Sequence, residues 1–411
     1  MRYIKVLKLL LPLLWCYTTA FAQQTTINHQ HIQEDLEEIL SDIANNYPYL
    51  AEKKVDLDCI RAQYTKRIST IKTEEETVLF FEYLLDEFYD SHLILNTNRA
   101  SSYRLYAPIY ISLKANKPIL TSVWQHQLLH FPPHLLGAEL RSINGQSIAE
   151  AVQQFPTLCQ DKNDPVVREW VINKLIAGRY NEPRKLNFQQ ANGEQILVDL
   201  DTLQWKQETD LLTHHRLDDI GIIRIKNTLG RDELVHAFDA ALDSLWDTKG
   251  LIIDIRNTVD GGDSYEARGI MSRFVATPKP YQKHAYMATS TGNPSIERSW
   301  LELVSPRGEQ YTKPLVVLVG RWTGSMGEGL AIGLEGIGRA QVVGTEMERL
   351  AGEMTGFSFK HQPFGYRLSF AKLFHVNGTL REKYVPPHYV QQTTLAKDEV
   401  LEKGLKLLKQ E

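Results

Sequence analysis

Residues 313–329 read KPLVVLVGRWTGSMGEG. The apolar run Leu315 to Val319 lacks polar alternation, which predicts a parallel strand buried on both faces. Gly320 to Gly324 predict a short turn. Ser325 then opens a helix of small residues, Met326 to Ile337, that ends at Gly338. A serine at a strand-to-helix turn places its hydroxyl at a helix N-terminus, where unpaired backbone N–H groups favour negative charge. An acyl-transfer nucleophile and its oxyanion hole need that environment. Taken alone, the same residues also fit a serine whose only task is to cap the helix.

The sequence on either side extends this unit. Ile220 to Ile225 predict a strand, and Arg231 to Trp246 an amphipathic helix with Leu234, Phe238, Ala241, Leu242 and Leu245 on one face. Gly250 to Ile255 predict a second buried strand, which runs into Arg256-Asn257-Thr258-Val259-Asp260-Gly261-Gly262. A helix over Ser264 to Phe274 and a strand over Ala340 to Gly344 follow. Strands alternating with helices imply a mostly parallel sheet with crossover helices, and ligands of such sheets bind at the carboxyl ends of the strands. Both the Gly261-Gly262 pair and Ser325 fall there. Two successive glycines admit close backbone approach to a ligand, and they equally suit a tight loop with no ligand.

Residues 27–100 predict helices, with Ile32, Leu36, Ile39, Leu40 and Ile43 at helical spacing and a capping box at Thr73-Glu74-Glu75-Glu76. The last helix runs into Asp90-Ser91-His92. His92 at this helix-to-strand junction has flanking groups able to orient it, and a lone histidine also serves commonly as a structural residue. Residues 103–205 predict a β-rich module with strands at Tyr106 to Leu113, Lys117 to Val123 and Gly137 to Ile143. An Asn144-Gly145 turn, a helix over Ile148 to Phe155, an inserted helix over 165–180 and a hairpin around Asn192-Gly193 complete it.

Composition narrows the function classes. The 411 residues suffice for two or three domains, and a net charge of −4 supplies no basic field for nucleic acid. The 13 histidines include no HExxH, and neither metal nor cofactor is expected. Arg2, Lys5 and Lys8, the apolar run Leu9 to Trp15, and Ala20-Phe21-Ala22 predict a signal peptide over residues 1–22, cleaved before Gln23. The apolar run is too short to span a membrane. Trp15 before Cys16 does not fit a lipoprotein site. An exported protein, periplasmic or extracellular and more in the style of the periplasm, is the expectation. Cys59 and Cys159 remain in the mature chain and can pair in an oxidising compartment, although two cysteines do not build a fold.

GLIIDIRNTVDGG followed by KPLVVLVGRWTGSMGEGLAIGLEGIGRAQVVGT resembles the C-terminal-processing, or tail-specific, serine peptidases over residues 215–390. The strand-turn-helix stretch of the β module resembles a PDZ domain, a class that captures peptide ends as an added strand. The resemblance implies Ser325 as nucleophile and the N–H groups of Gly261, Gly262 and Met326 as oxyanion hole. Asp260 departs from the usual N-G-G-G. The Ser-Lys dyad of many members is also missing, since its lysine position holds Leu350 and the next lysine is Lys360. Arg349 stays protonated and cannot accept a proton. The tricorn-like branch of the family is similar in Ser91-His92 and in a late glutamate, for which Glu382 is the candidate. This implies His92 as general base, with Ser91 and Glu382 tuning it.

The expected architecture is α/β, with a helical N-terminal region (23–102), a PDZ-like module (103–214), a ClpP/crotonase-like catalytic core (215–395) and a C-terminal helix (396–411). The expected activity is hydrolysis of peptides or unfolded proteins, with the module's sheet edge gripping the substrate. Loss of the lysine leaves open an inactive peptide- or ligand-binding protein on the same fold. A non-peptidic esterase is the remaining alternative, although no G-x-S-x-G is present.

Overall fold

The computed structural model describes residues 27–288 and 295–409, so the expected signal peptide lies outside the described residues. Its centre is a six-stranded sheet. In spatial order the strands are His388–Tyr389, Ala340–Gly344, Leu315–Val319, Gly250–Gly261, Ile220–Thr228 and Leu212–Leu217. The first five run parallel, and Leu212–Leu217 is antiparallel. That last strand straddles the expected boundary at residue 214 and belongs to the core sheet. Strand geometry sends alternate side chains to opposite faces. Leu315, Val317 and Val319 accordingly pack under the helices Glu233–Ser244, Ser264–Met271 and Met326–Gly336. Val316 and Leu318 face the C-terminal helix Glu399–Leu408 through Leu407 and Leu408.

A second, antiparallel sheet has the order Ile94–Leu95, Gly365–Phe374, Lys279–Ala288 and Ile296–Val304, with Glu353–Ser358 also paired to Gly365–Phe374. The N-terminal helices His29–Asn46, Leu57–Ile68 and Glu74–Asp86 pack onto it. Leu36, Ile39, Phe81 and Leu84 share one core with Phe359, Phe364, Tyr366 and Leu368. The helical region is therefore not an independent unit. Its third long helix starts at the expected capping box: Glu76 N–H donates to Thr73 Oγ1 and Thr73 N–H to Glu76 Oε2, both at 3.1 Å.

The β module has its own sheet and core. Asn144 and Gly145 both have positive φ (51° and 84°), as a tight hairpin turn requires. Cys59 and Cys159 are disulfide-bonded, with Cα atoms 6.0 Å apart. The bond joins the helix Leu57–Ile68 to the segment between the module's two helices. Glu87 reinforces this seam by accepting from Cys159 N–H at 3.1 Å. Among the described residues no helix is long and apolar enough to cross a membrane.

Candidate active site

Thr323 fixes the turn after Leu315–Val319. Its Oγ1 accepts from Gly320 N–H at 3.1 Å and donates to Ile255 O at 2.9 Å. Gly324 N–H donates to Thr258 O, also at 3.1 Å. The turn is thus bonded to the neighbouring strand Gly250–Gly261, which runs further than the sequence suggested. The Gly261-Gly262 pair lies at that strand's carboxyl end.

Ser325 has φ 47° and ψ −112°, a sterically strained conformation for a residue with a Cβ. The next residue, Met326, begins the helix, so its N–H has no intrahelical acceptor. Gly261 has φ +64°, and a Cβ there would collide with the Cβ of Ser325. Gly261 therefore touches the serine and the helix N-terminus directly, while Gly262 packs on Leu229 and Gly230 and lines the same cavity as Ser325 and Met326.

Glu328, fully buried, holds this corner. Its carboxylate accepts from Ser325 N–H at 3.1 Å, Arg349 N–H at 2.9 Å and Leu350 N–H at 3.2 Å. Burial pushes its pKa up to about 7, against the opposing pull of Arg381 and these backbone donors. Arg381 donates to Leu350 O at 3.0 Å and Gly352 O at 2.9 Å, so backbone groups of 349–352 are held from both sides.

His92 bonds the same segment. Its Nδ1 lies 2.9 Å from Ala351 O, and its own N–H donates to Asp90 Oδ1 at 2.9 Å. A carbonyl oxygen only accepts, so Nδ1 carries the proton and Nε2 the basic lone pair. Nε2 is buried with no hydrogen-bond partner. Burial, with Arg381 adding to it, lowers the pKa of His92 to about 4. Ser325 and His92 are not hydrogen-bonded to each other. They are linked through Glu328, Leu350 and Ala351.

Neither Ser91 nor Glu382 hydrogen-bonds to the His92 ring. Ser91 Oγ accepts from Trp170 Nε1 at 3.3 Å, and Glu382 Oε2 accepts from Tyr49 O–H at 3.4 Å. Ser325 and Met326 line a cavity of about 560 Å³ with Gly262, Gln282, His284 and Arg381. Ser91 lines a different one, of about 450 Å³, with Tyr106, Trp170, Trp322, Glu348 and Leu350.

The module meets the core through two indoles. Trp124 and Trp322 stack with centroids 5.2 Å apart and planes 3° from parallel. Trp124 Nε1 donates to Asn257 Oδ1 and Trp322 Nε1 to Ala107 O, both at 2.9 Å. The module's outer strand Ile109–Lys114 is already paired along its free edge. Ile111 N–H donates to Asn173 Oδ1, Leu113 N–H to Glu169 Oε2, and Asn173 Nδ2 to Ile111 O. A peptide adding as a strand there must displace Asn173 and Glu169; the sheet's other edge strand is Gln195–Asp199.

These elements agree with comparisons of the chain as a whole. Peptidase family S41 matches residues 219–391, and the tricorn protease C1 domain matches residues 28–86. The chain belongs to peptidase family S41. It is a serine-type peptidase, and its family implies peptide or protein substrates. Solved structures share the S41 fold at low identity. Mature CPAF aligns at TM-score 0.62 and 13% identity, over 93% of this chain and 96% of that one. A putative peptidase from Parabacteroides merdae aligns at 0.57 and 16%, over 92% and 96%. The photosystem II D1 C-terminal processing protease aligns at 0.55 and 16%, over 92% and 97%. A search of curated proteins found no match.

Within this S41 chain, sequence reasoning passed over Arg381, Glu348 and the Ala351 carbonyl. The only sequence signal for them was negative, the missing lysine at Leu350, which marked the segment as divergent without saying what it bonds.

Proposed function

We propose that the chain is an exported endopeptidase that cleaves peptides or unfolded proteins, with Ser325 as nucleophile and His92 as general base. The observation that carries this reading is the His92 tautomer. Nδ1–H is fixed on Ala351 O, and the lone pair of Nε2 is left uncommitted in a buried place. Its low pKa keeps the ring neutral at neutral pH, the state a base needs. Ser325 Oγ attacks the scissile carbonyl carbon while Nε2 takes its proton. The oxyanion faces the N–H groups of Met326, Gly261 and Gly262. Collapse of the tetrahedral intermediate breaks the C–N bond, and His92 returns the proton to the leaving amine. Water then hydrolyses the acyl-enzyme by the same exchange. The transfer needs Oγ and Nε2 brought to about 2.6–3.2 Å, an approach that apo sites often complete only when substrate is bound. Ser91 and Glu382 act through the position of His92. Export rests on the leader-like residues 1–22, and the Cys59–Cys159 bond supports an oxidising compartment.

Casein or reporter-peptide cleavage by the mature protein, beside Ser325→Ala and His92→Ala, tests the proposal. Cleavage by the wild type and loss of most of it in both variants is expected. An inert wild type whose Ser325 also resists a fluorophosphonate probe overturns it and leaves a peptide-binding protein. The unbonded Ser325–His92 pair and the missing lysine favour that second reading.

A further inference from the structure

Glu348 occupies a position that the catalytic assignment does not use. Its N–H donates to Thr323 O at 3.1 Å, which places it against the nucleophile turn. Its Oε2 is buried without a hydrogen-bond partner. A Cβ built on Gly324, the residue before Ser325, would collide with both Glu348 Oε2 and Val259 O. One carboxyl oxygen and one carbonyl oxygen therefore converge on the same face of Gly324. Val259 begins the short run Val259-Asp260-Gly261-Gly262 that carries the glycine pair. Two acceptor oxygens attract only when a proton lies between them.

We propose that Glu348 is a positioning residue, its carboxyl group donating a hydrogen bond to Val259 O and so fixing the glycine pair against the Ser325 turn. The inference rests on the peptidase reading and adds to it the device that sets the oxyanion geometry. Such geometry is demanding, because donors must sit where the oxyanion will form.

The surroundings favour the neutral acid. Burial pushes the Glu348 pKa well up, and the nearby carboxylates of Glu328 and Asp260 push it further. Tyr106 faces it from the module. Arg321 and Arg349 line the same cavity, but both pair with Glu346 instead, at 3.6 and 3.0 Å. Ionisation at high pH sets two negative oxygens against each other, so activity falls as pH rises through the Glu348 pKa.

The test compares peptide cleavage by the wild type, Glu348→Gln and Glu348→Leu from pH 6 upward, with thermal unfolding to verify that each variant folds. Gln retains an N–H donor that does not ionise; Leu has the bulk and no donor. The expected result is a Gln variant within about threefold of wild type at neutral pH that lacks the alkaline fall. The Leu variant should lose about tenfold or more in kcat with KM little changed, the order of loss seen when catalytic groups are misplaced. Equal loss in both variants, full activity in both, or an alkaline fall that persists in Gln overturns the role of Glu348 and leaves the peptidase reading intact. A wild type that cleaves nothing overturns the peptidase reading itself, and the positioning role with it.

Discussion

A single imidazole shows what burial does at the scale of one residue. His92 is 3% exposed and titrates near 4 instead of its ordinary 6.5. The unfolded chain therefore binds a proton at His92 between about pH 6.5 and 4, where the folded chain does not. Stability from this residue is fully present above pH 6.5, is lost as pH falls toward 4, and changes no further below that. A shift of this size corresponds to about 3 kcal/mol across the window. Glu328 has the opposite sign. Its pKa, raised to about 7, gives a contribution present below its ordinary 4.5 and lost as pH rises through 7. Replacing His92 by Gln should flatten the acid side of a stability profile measured by denaturant unfolding from pH 4 to 7. A profile unchanged by the substitution contradicts the buried neutral ring. Ser91-His92 stands out in the sequence as a motif, but the Nδ1 contact is made by Ala351, 259 residues away, and no local pattern announces it.

At the scale of elements, the strand-turn-helix unit around Ser325 was legible because every part of it is local. An apolar strand, a glycine turn and a small-residue helix succeed one another within 25 residues, and each obeys its own period. The strands Lys279–Ala288 and Ile296–Val304 carried no such signal. Buried positions in the first come in pairs, with a register shift between Pro280 and Gln282, and the second is mostly exposed. They exist through pairing with each other and, for Lys279–Ala288, with Gly365–Phe374, a tertiary fact. The Trp124–Trp322 stack is likewise invisible in sequence, yet it clamps the β module to the turn that holds Ser325. Trp124→Ala removes the stack and leaves Asn257 Oδ1 without its indole donor. The expected cost is about 3–5 kcal/mol of stability, as for other buried aromatic truncations. A fall in kcat should accompany it, because Asn257 lies on the strand that ends in the glycine pair. Denaturation midpoints and kcat measured together decide the matter. Full stability loss with unchanged kcat means that the stack holds the module without governing the site.

The proposed site draws on three remote parts: His92 from the end of the helical region, Ser325 from the α/β core, and the 349–352 segment, which bonds His92 directly and Ser325 through Glu328. Expected domain boundaries drawn along the chain miss this, because the first helices bury themselves against Phe359, Phe364 and Tyr366 near the other end. Among the described residues the one disulfide is Cys59–Cys159, which ties the helical region to the β module and closes 100 residues of chain. A cross-link of that span restricts the unfolded ensemble strongly, and losing it costs about 2–5 kcal/mol in small domains. The cysteines bond at the seam between helices and module and take no part in the hydrogen bonds of Ser325, Glu328 and His92. The double variant Cys59→Ser, Cys159→Ser should therefore unfold several degrees below the oxidised wild type, while cleaving a reporter peptide at 25 °C with nearly the same kcat. Wild type treated with reductant should follow the variant. A melting temperature indifferent to the bond shows that the seam is held by its packing and by Glu87 alone. A large drop in kcat at 25 °C shows instead that the disulfide sets the position of the helical region, and with it His92, in the folded protein.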